Sequence, residues 1–187
     1  MDIDIDSADR AQILKLIKSV PASIHRNNSV EKHNTGVYVN PVPVDPETGM
    51  CTLDYKVAEE MGYIKLDFLN MSVYERVADR EHLKKLIDTE PDWGKLQDRS
   101  FVENIIHINN HYDTIQRMPE PVDSVARMAM LLGVIRPAKR HLIGSPWKTV
   151  AETVWQAPAD GAYFFKKSHS VAYAQLVAVN MNLNCGV

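Results

Sequence analysis

An α+β fold is predicted for this chain: a small mixed sheet with accompanying helices, followed by an all-helical region. Three observations carry that prediction. The chain opens on an alternating run, Asp2-Ile3-Asp4-Ile5-Asp6, and side chains two apart share a face on a strand. Between residues 36 and 69, short β-branched runs are divided by turn signals. Beyond Pro91 the strand pattern stops and apolar residues recur at helical spacing. The boundary is therefore placed there, giving domains 1–92 and 93–187.

Residues 2–6 form the first predicted strand. A helix over 8–20 follows, with Ile13, Leu14, Leu16 and Ile17 as its apolar stripe, Ser7 or Asp9 as its cap and Pro21 as its stop. Residues 21–35 are polar and irregular. Gly36–Asn40 reads as a short strand, stopped by Pro41-Val42-Pro43. Pro46-Glu47-Thr48-Gly49 is a second turn signal, and Met50–Tyr55 a further strand. Lys56–Met61 reads as one or two helical turns with Gly62 in the left-handed cap position. Tyr63–Leu69 is again a strand. Helices are then predicted over 73–88, 98–108, 122–135, 147–155 and 170–182. Met128, Met130, Leu131 and Leu132 belong to the core, and Trp93, Trp147 and Trp155 are packing anchors.

The 187 residues are 45% hydrophobic and 24% charged, the balance of a globular protein with a real core. The net charge of -3 argues against general nucleic-acid affinity, but its distribution is uneven. Arg136 to His169 holds six Lys/Arg and two acids, a net of +4, against -7 for the remainder. Such a segment steers phosphates or is a solvated face, and charge alone favours the latter. Two cysteines without CxxC or zinc spacing fit a reducing compartment, hence the cytoplasm. No secretory leader is expected, and the longest apolar run, near 171–179, is too short to span a bilayer.

The acidic row is the strongest chemical signal. As an EF-hand it fails, because the sixth and twelfth positions from Asp2 hold Ser7 and Ile13 rather than Gly and Glu. A solvated edge strand and a metal site remain. A second strand bears on the choice. In Ile64-Lys65-Leu66-Asp67-Phe68-Leu69 the apolar residues share one face and Lys65 and Asp67 the other. If this strand neighbours the first, Asp67 joins Asp2 and Asp4, with carboxylates close enough for two metals about 3.5–4 Å apart. Asp67 as a cap, or simply paired with Lys65, stays open. His107 and His111, spaced i, i+4, lack the glutamate of a zincin, since Ile108 follows the first histidine.

Five segments taken in order resemble the alpha subunit of bacterial DNA polymerase III, the family C replicative polymerase. Asp2-Ile3-Asp4-Ile5-Asp6 with Asp9-Arg10 looks like the first catalytic motif of its palm. His33-Asn34-Thr35-Gly36-Val37 looks like its His-x-x-Gly-Val strand. Tyr63 to Leu69 looks like the strand bearing the third catalytic aspartate. Ile135-Arg136-Pro137 resembles the fingers Arg-Pro element, and Phe165 to Ala174 resembles the fingers Lys-Ser-His-x-x-x-Tyr-Ala helix start. The resemblance implies a reduced palm-plus-fingers fragment of a polymerase, viral or one piece of a split enzyme. Its phosphoesterase domain, triphosphate loop and clamp-binding parts are missing, and its thumb is missing or reduced to residues 21–32. Met1 stands where the family has proline.

The resemblance further implies the site. Asp2, Asp4 and Asp67 hold two Mg2+ ions for nucleotidyl transfer from dNTP to a primer 3′-hydroxyl. Lys65, Arg136, Lys139, Arg140, Lys166, Lys167 and His169 meet phosphates. The implied partners are a DNA primer-template, dNTP and a separate chain supplying missing polymerase parts, with no membrane, in the cytoplasm of a bacterial or infected host cell. The helix from Ser170 should turn Val171, Ala174, Val177 and Ala178 inward and leave Lys166, Lys167 and His169 in solvent. The other reading is a non-catalytic DNA-binding or replisome-interaction module derived from a polymerase.

Overall fold

A computed structural model describes residues 2–27, 29–159 and 162–187, with only the backbone of Asp2. The fold is α+β, as predicted. The chain separates into two compact units, Met1–Arg76 and Val77–Val187.

The first unit holds a four-stranded mixed sheet in the order β1-β4-β3-β2. Its strands are β1 (Asp2–Ser7), β2 (Val20–Arg26), β3 (Ser29–Tyr38) and β4 (Lys65–Asn70). β1 runs parallel to β4, while β4–β3 and β3–β2 are antiparallel. The polar stretch 21–35 is therefore not irregular but forms β2 and most of β3. Its outer half is exposed, from Ser29 to Lys32 on consecutive positions, so neither face selects for apolar side chains and no alternation appears in the sequence.

Helix α1 (Arg10–Leu16) is shorter than predicted. Asp9 caps it, its carboxylate accepting from the Gln12 N–H at 3.1 Å. None of its residues is fully buried: Ile13, Leu14 and Ile17 of the apolar stripe are half-buried, and Leu16 is 84% exposed. Residues 50–55 make only isolated bridges, Val44 to Cys51 and Ser23 to Asp54, rather than a strand. Helix α2 (Tyr55–Glu60) ends at Gly62, whose φ of +89° is the left-handed conformation expected there. Ala22, Tyr38, Cys51 and Ala58 form a small buried cluster beneath it.

The second unit is helical. It contains α3 (Arg80–Asp88), α4 (Arg99–Val102), α5 (Tyr112–Gln116), α6 (Val125–Val134), α7 (Trp147–Thr153) and α8 (Lys167–Asn184), with short 3-10 turns between. Helix α6 packs on α8, and Met128, Leu131, Leu132, Val150, Ala174, Val177 and Met181 lie in one continuous core. Met130 is partly buried against it, as are Trp93 and Trp155, whereas Trp147 is buried. At Gly133 an added Cβ would lie 2.6 Å from Val154 Cγ2, so α6 and the end of α7 approach too closely for alanine.

Buried asparagines tie α8 to distant backbone. Asn182 Nδ2 donates to the carbonyls of Leu86 and Thr89 at 2.9 and 2.8 Å, and Asn180 Oδ1 accepts from the Ile106 N–H at 2.9 Å. The first pair attaches α3 to the helical unit, which is why the division falls at residue 76 and not at the compositional shift near Pro91. The predicted helix 98–108 is broken: α4 stops at Val102, and His107 has φ +66°. His107 and His111 therefore do not share a helical face. The predicted helix over 73–88 is likewise split into a 3-10 turn, Ser72–Arg76, and α3.

Candidate functional site

The parallel register of β1 and β4 pairs Asp2 with Lys65, Ile3 with Leu66, Asp4 with Asp67 and Ile5 with Phe68. Partners in register share a face, so Asp4 and Asp67 stand side by side above the sheet, with Ile3, Ile5, Leu66 and Phe68 on the opposite face. Asp2 occupies the register position beside Lys65, and its side chain lies outside the described residues. Antiparallel β3 completes the row by setting Gly36 opposite Asp67.

Asp67 is buried and both of its oxygens are engaged. Thr35 Oγ1 donates to Oδ1 at 2.6 Å, and Lys65 Nζ donates to Oδ2. Lys65 is itself only 4% exposed. Burial opposes the charge of Asp67, but the hydrogen bonds from Lys65 and Thr35 and the nearby positive charge outweigh it. The carboxyl is thus held below its ordinary range. Asp6, further along the row, is shifted the other way, by partial desolvation first and by the Asp4 charge second.

A tight turn of β3 supports Asp67. His33 Nδ1 accepts from the Gly36 N–H at 2.9 Å and from the Thr35 N–H at 3.3 Å. The same nitrogen lies 3.7 Å from Asp67 Oδ1. Gly36 makes room: a Cβ there would sit 2.7 Å from Lys65 Cδ and 3.0 Å from His33 Nδ1. Tyr55 closes the other side, its ring edge-on to His33 at 5.1 Å and 5.7 Å from Lys65 Nζ. Arg10 reaches the same turn, Nη2 donating to the Thr35 carbonyl at 3.3 Å. The sequence alone does not single out Thr35 and Tyr55 as site residues. Their contacts depend on the pairing of strands, which no single segment displays.

The predicted cations of the second unit divide. Lys139 is buried, and its Nζ donates to the Thr153 carbonyl at 2.7 Å. It ties a 3-10 turn (Pro137–Leu142) to the end of α7 instead of facing a phosphate. Arg136 is half-buried, with its guanidinium 4.4 Å from the Phe165 ring centre and its buried Nε without a hydrogen-bond partner among the described residues. Arg140 is exposed, its Nε donating to the Ile135 carbonyl at 3.3 Å. Lys166, Lys167 and His169 are exposed at the start of α8, as expected. Ala174, Val177 and Ala178 turn inward, but Val171 is 44% exposed, because at the start of α8 it lies off the face that Ser170, Ala174 and Val177 bury.

His107 sits beside this group, edge-on to Tyr173 at 4.4 Å. Burial first, and the Arg136 charge second, lower its pKa to about 4. The same influences, with Arg140, lower that of His111.

Fold and site together define an α+β protein whose sheet carries a row of carboxylates with a buried lysine among them. No family model, curated protein or solved structure matches the chain. Among the described residues no group of three or more His, Cys, Asp or Glu is gathered for a metal, and no helix is long and apolar enough to cross a membrane. The donors that do converge, Asp4 and Asp67, are hard oxygen ligands of the kind magnesium takes. Asp67 Oδ1 keeps a lone pair beyond its bond to Thr35.

Proposed function

We propose that the chain is a reduced palm-plus-fingers relative of the family C DNA polymerases, acting in nucleotidyl transfer from dNTP to a primer 3′-hydroxyl. The observation that carries this reading is the parallel register setting Asp4 beside Asp67, with Lys65 in the same row. The five motifs in family order support it. Asp4 and Asp67, with Asp2 on the same strand, would hold magnesium, which when bound acidifies the 3′-hydroxyl and offsets phosphate charge. Thr35 and the His33–Gly36 turn orient Asp67. Arg136, Arg140, Lys166, Lys167 and His169 supply cations for phosphate, and Lys139 is withdrawn from that role. DNA primer-template, dNTP and a chain providing further polymerase parts are the partners under this reading, with the cytoplasm as compartment.

Primer extension tests it. Magnesium-dependent extension, slow or absent for this chain alone and appearing with a complementing palm segment, should disappear in Asp67→Asn. Extension that survives this change rejects the assignment. Lys166→Ala with Lys167→Ala should weaken DNA binding and flatten its salt dependence, because fewer counterions are released. An unchanged salt slope would remove these lysines from the interface.

The second reading is a non-catalytic DNA-binding or replisome-interaction module. It is favoured by one observation: both oxygens of Asp67 are already satisfied by the protein. DNA binding that is unaffected by magnesium and by Asp67→Asn would support it.

A further inference from the structure

The acidic row already contains a cation. Lys65 has its ammonium on Asp67 Oδ2, and the pair is buried. An ammonium taken out of water is costly unless paired, and so is a carboxylate. Each therefore holds the other in place. A divalent ion entering beside Asp4 would seek the same oxygen. Two cations crowded on one carboxylate repel, and in a low-dielectric setting that repulsion is large.

The surroundings of Lys65 offer its ammonium a second partner. Its aliphatic stem packs closely on Gly36, where a Cβ would sit 2.7 Å from Lys65 Cδ, so the stem keeps this seat while the ammonium changes partner. Its Nζ lies 5.7 Å from the Tyr55 ring centre, within reach of a cation–π contact that does not need Asp67. Thr35 holds the other oxygen of Asp67 at 2.6 Å, so the carboxylate stays oriented if the lysine leaves.

We propose that Lys65 is an exchangeable counter-ion: it occupies Asp67 in the metal-free protein and is displaced from Oδ2 when a divalent cation enters the row. The proposal rests on reading Asp4 and Asp67 as a divalent-cation site. By linkage, the metal and the Lys65–Asp67 contact oppose each other by the same factor in both directions. Metal entry then releases an ammonium beside the acidic row, where an anionic ligand could take it up. No chemistry is needed for the exchange itself, only a change of partner.

Two measurements on the full chain test this. The first is amine labelling of wild-type protein, quantified at Lys65 by peptide mass spectrometry, with and without magnesium chloride. Labelling at Lys65 should rise about tenfold with the metal, while exposed lysines such as Lys166 stay constant. The second is manganese binding followed by electron paramagnetic resonance. Lys65→Met should bind manganese about tenfold more tightly than wild type, and adding Asp67→Asn should abolish that gain. If Lys65→Met does not fold, the wild-type labelling decides alone. Manganese that binds through Asp67 while Lys65 labelling stays flat overturns the exchange and leaves the site reading intact. Binding that is indifferent to Asp67 in every variant overturns both. Exchange without any primer extension, even with a complementing palm segment, would keep the proposal and reject the polymerase reading.

Discussion

In the helical unit, α6 and α8 bury Met128, Leu131, Leu132, Val177 and Met181 in one continuous apolar core, and most of the charge stays outside. In the sheet unit a lysine and an aspartate are among the well-buried side chains, while Leu16 and Ile3 are exposed and α1 has no fully buried residue. The difference is physical. The helical unit spends its sequence on apolar packing, the dominant favourable contribution to folding. The sheet unit holds charges where water would normally be preferred, an arrangement that persists only with good partners. Buried, oriented charges of this kind cluster at working sites, whereas in the second unit the buried Lys139 donates to a backbone carbonyl.

The largest expected effect comes from separating the buried pair. Lys65→Met leaves Asp67 with Thr35 alone and should cost about 3–5 kcal/mol. Combining it with Asp67→Leu should recover much of that loss. Chemical denaturation of both variants measures it, and additive losses would mean the two groups do not act as a pair. In the helical core, Leu131→Ala should cost about 2–5 kcal/mol by leaving a cavity. All three tryptophans lie in that unit, so their fluorescence follows its unfolding.

Acid should separate the two regions. His107 in the folded protein protonates near pH 4, whereas in the unfolded chain it does so near 6.5. The unfolded state therefore binds the extra proton, and stability is lost as pH falls from about 6.5 to about 4. Asp67 behaves differently. Its folded pKa lies below the usual value, so its contribution is intact above about pH 4 and disappears only as pH drops through the lowered value. Denaturation across this range should show a loss above pH 4 that His107→Asn reduces, the remainder coming from His111, and asparagine tolerates the φ of +66°. The smallest effect is expected at Leu16→Gln, within about 0.5 kcal/mol, because the side chain is already in water. A larger loss would show that α1 has a partner surface.

Strands β1 and β4 were legible because each alternates apolar and charged residues, and a two-residue period survives without knowledge of neighbours. The β2–β3 hairpin was not, because its outer half is exposed and nothing selects the alternation. The joining of Asp4 to Asp67 could be posed from sequence, but only the parallel register brings it about. Thr35 and Tyr55 became visible only with the strands paired. The inward turn of Lys139 depends on a carbonyl at the end of α7, fourteen residues away in the chain. The end of α4 at Val102 and the left-handed backbone of His107 leave no mark on side-chain periodicity.

The central claim is that Asp4 and Asp67 form one divalent-cation site on the sheet. Paramagnetic broadening of backbone amide signals by manganese tests it most directly. Broadening should centre on Asp4, Asp67 and Gly36, the residues that register sets side by side, and should disappear in Asp67→Asn. Broadening scattered over the exposed carboxylates, or unchanged by that substitution, would contradict it.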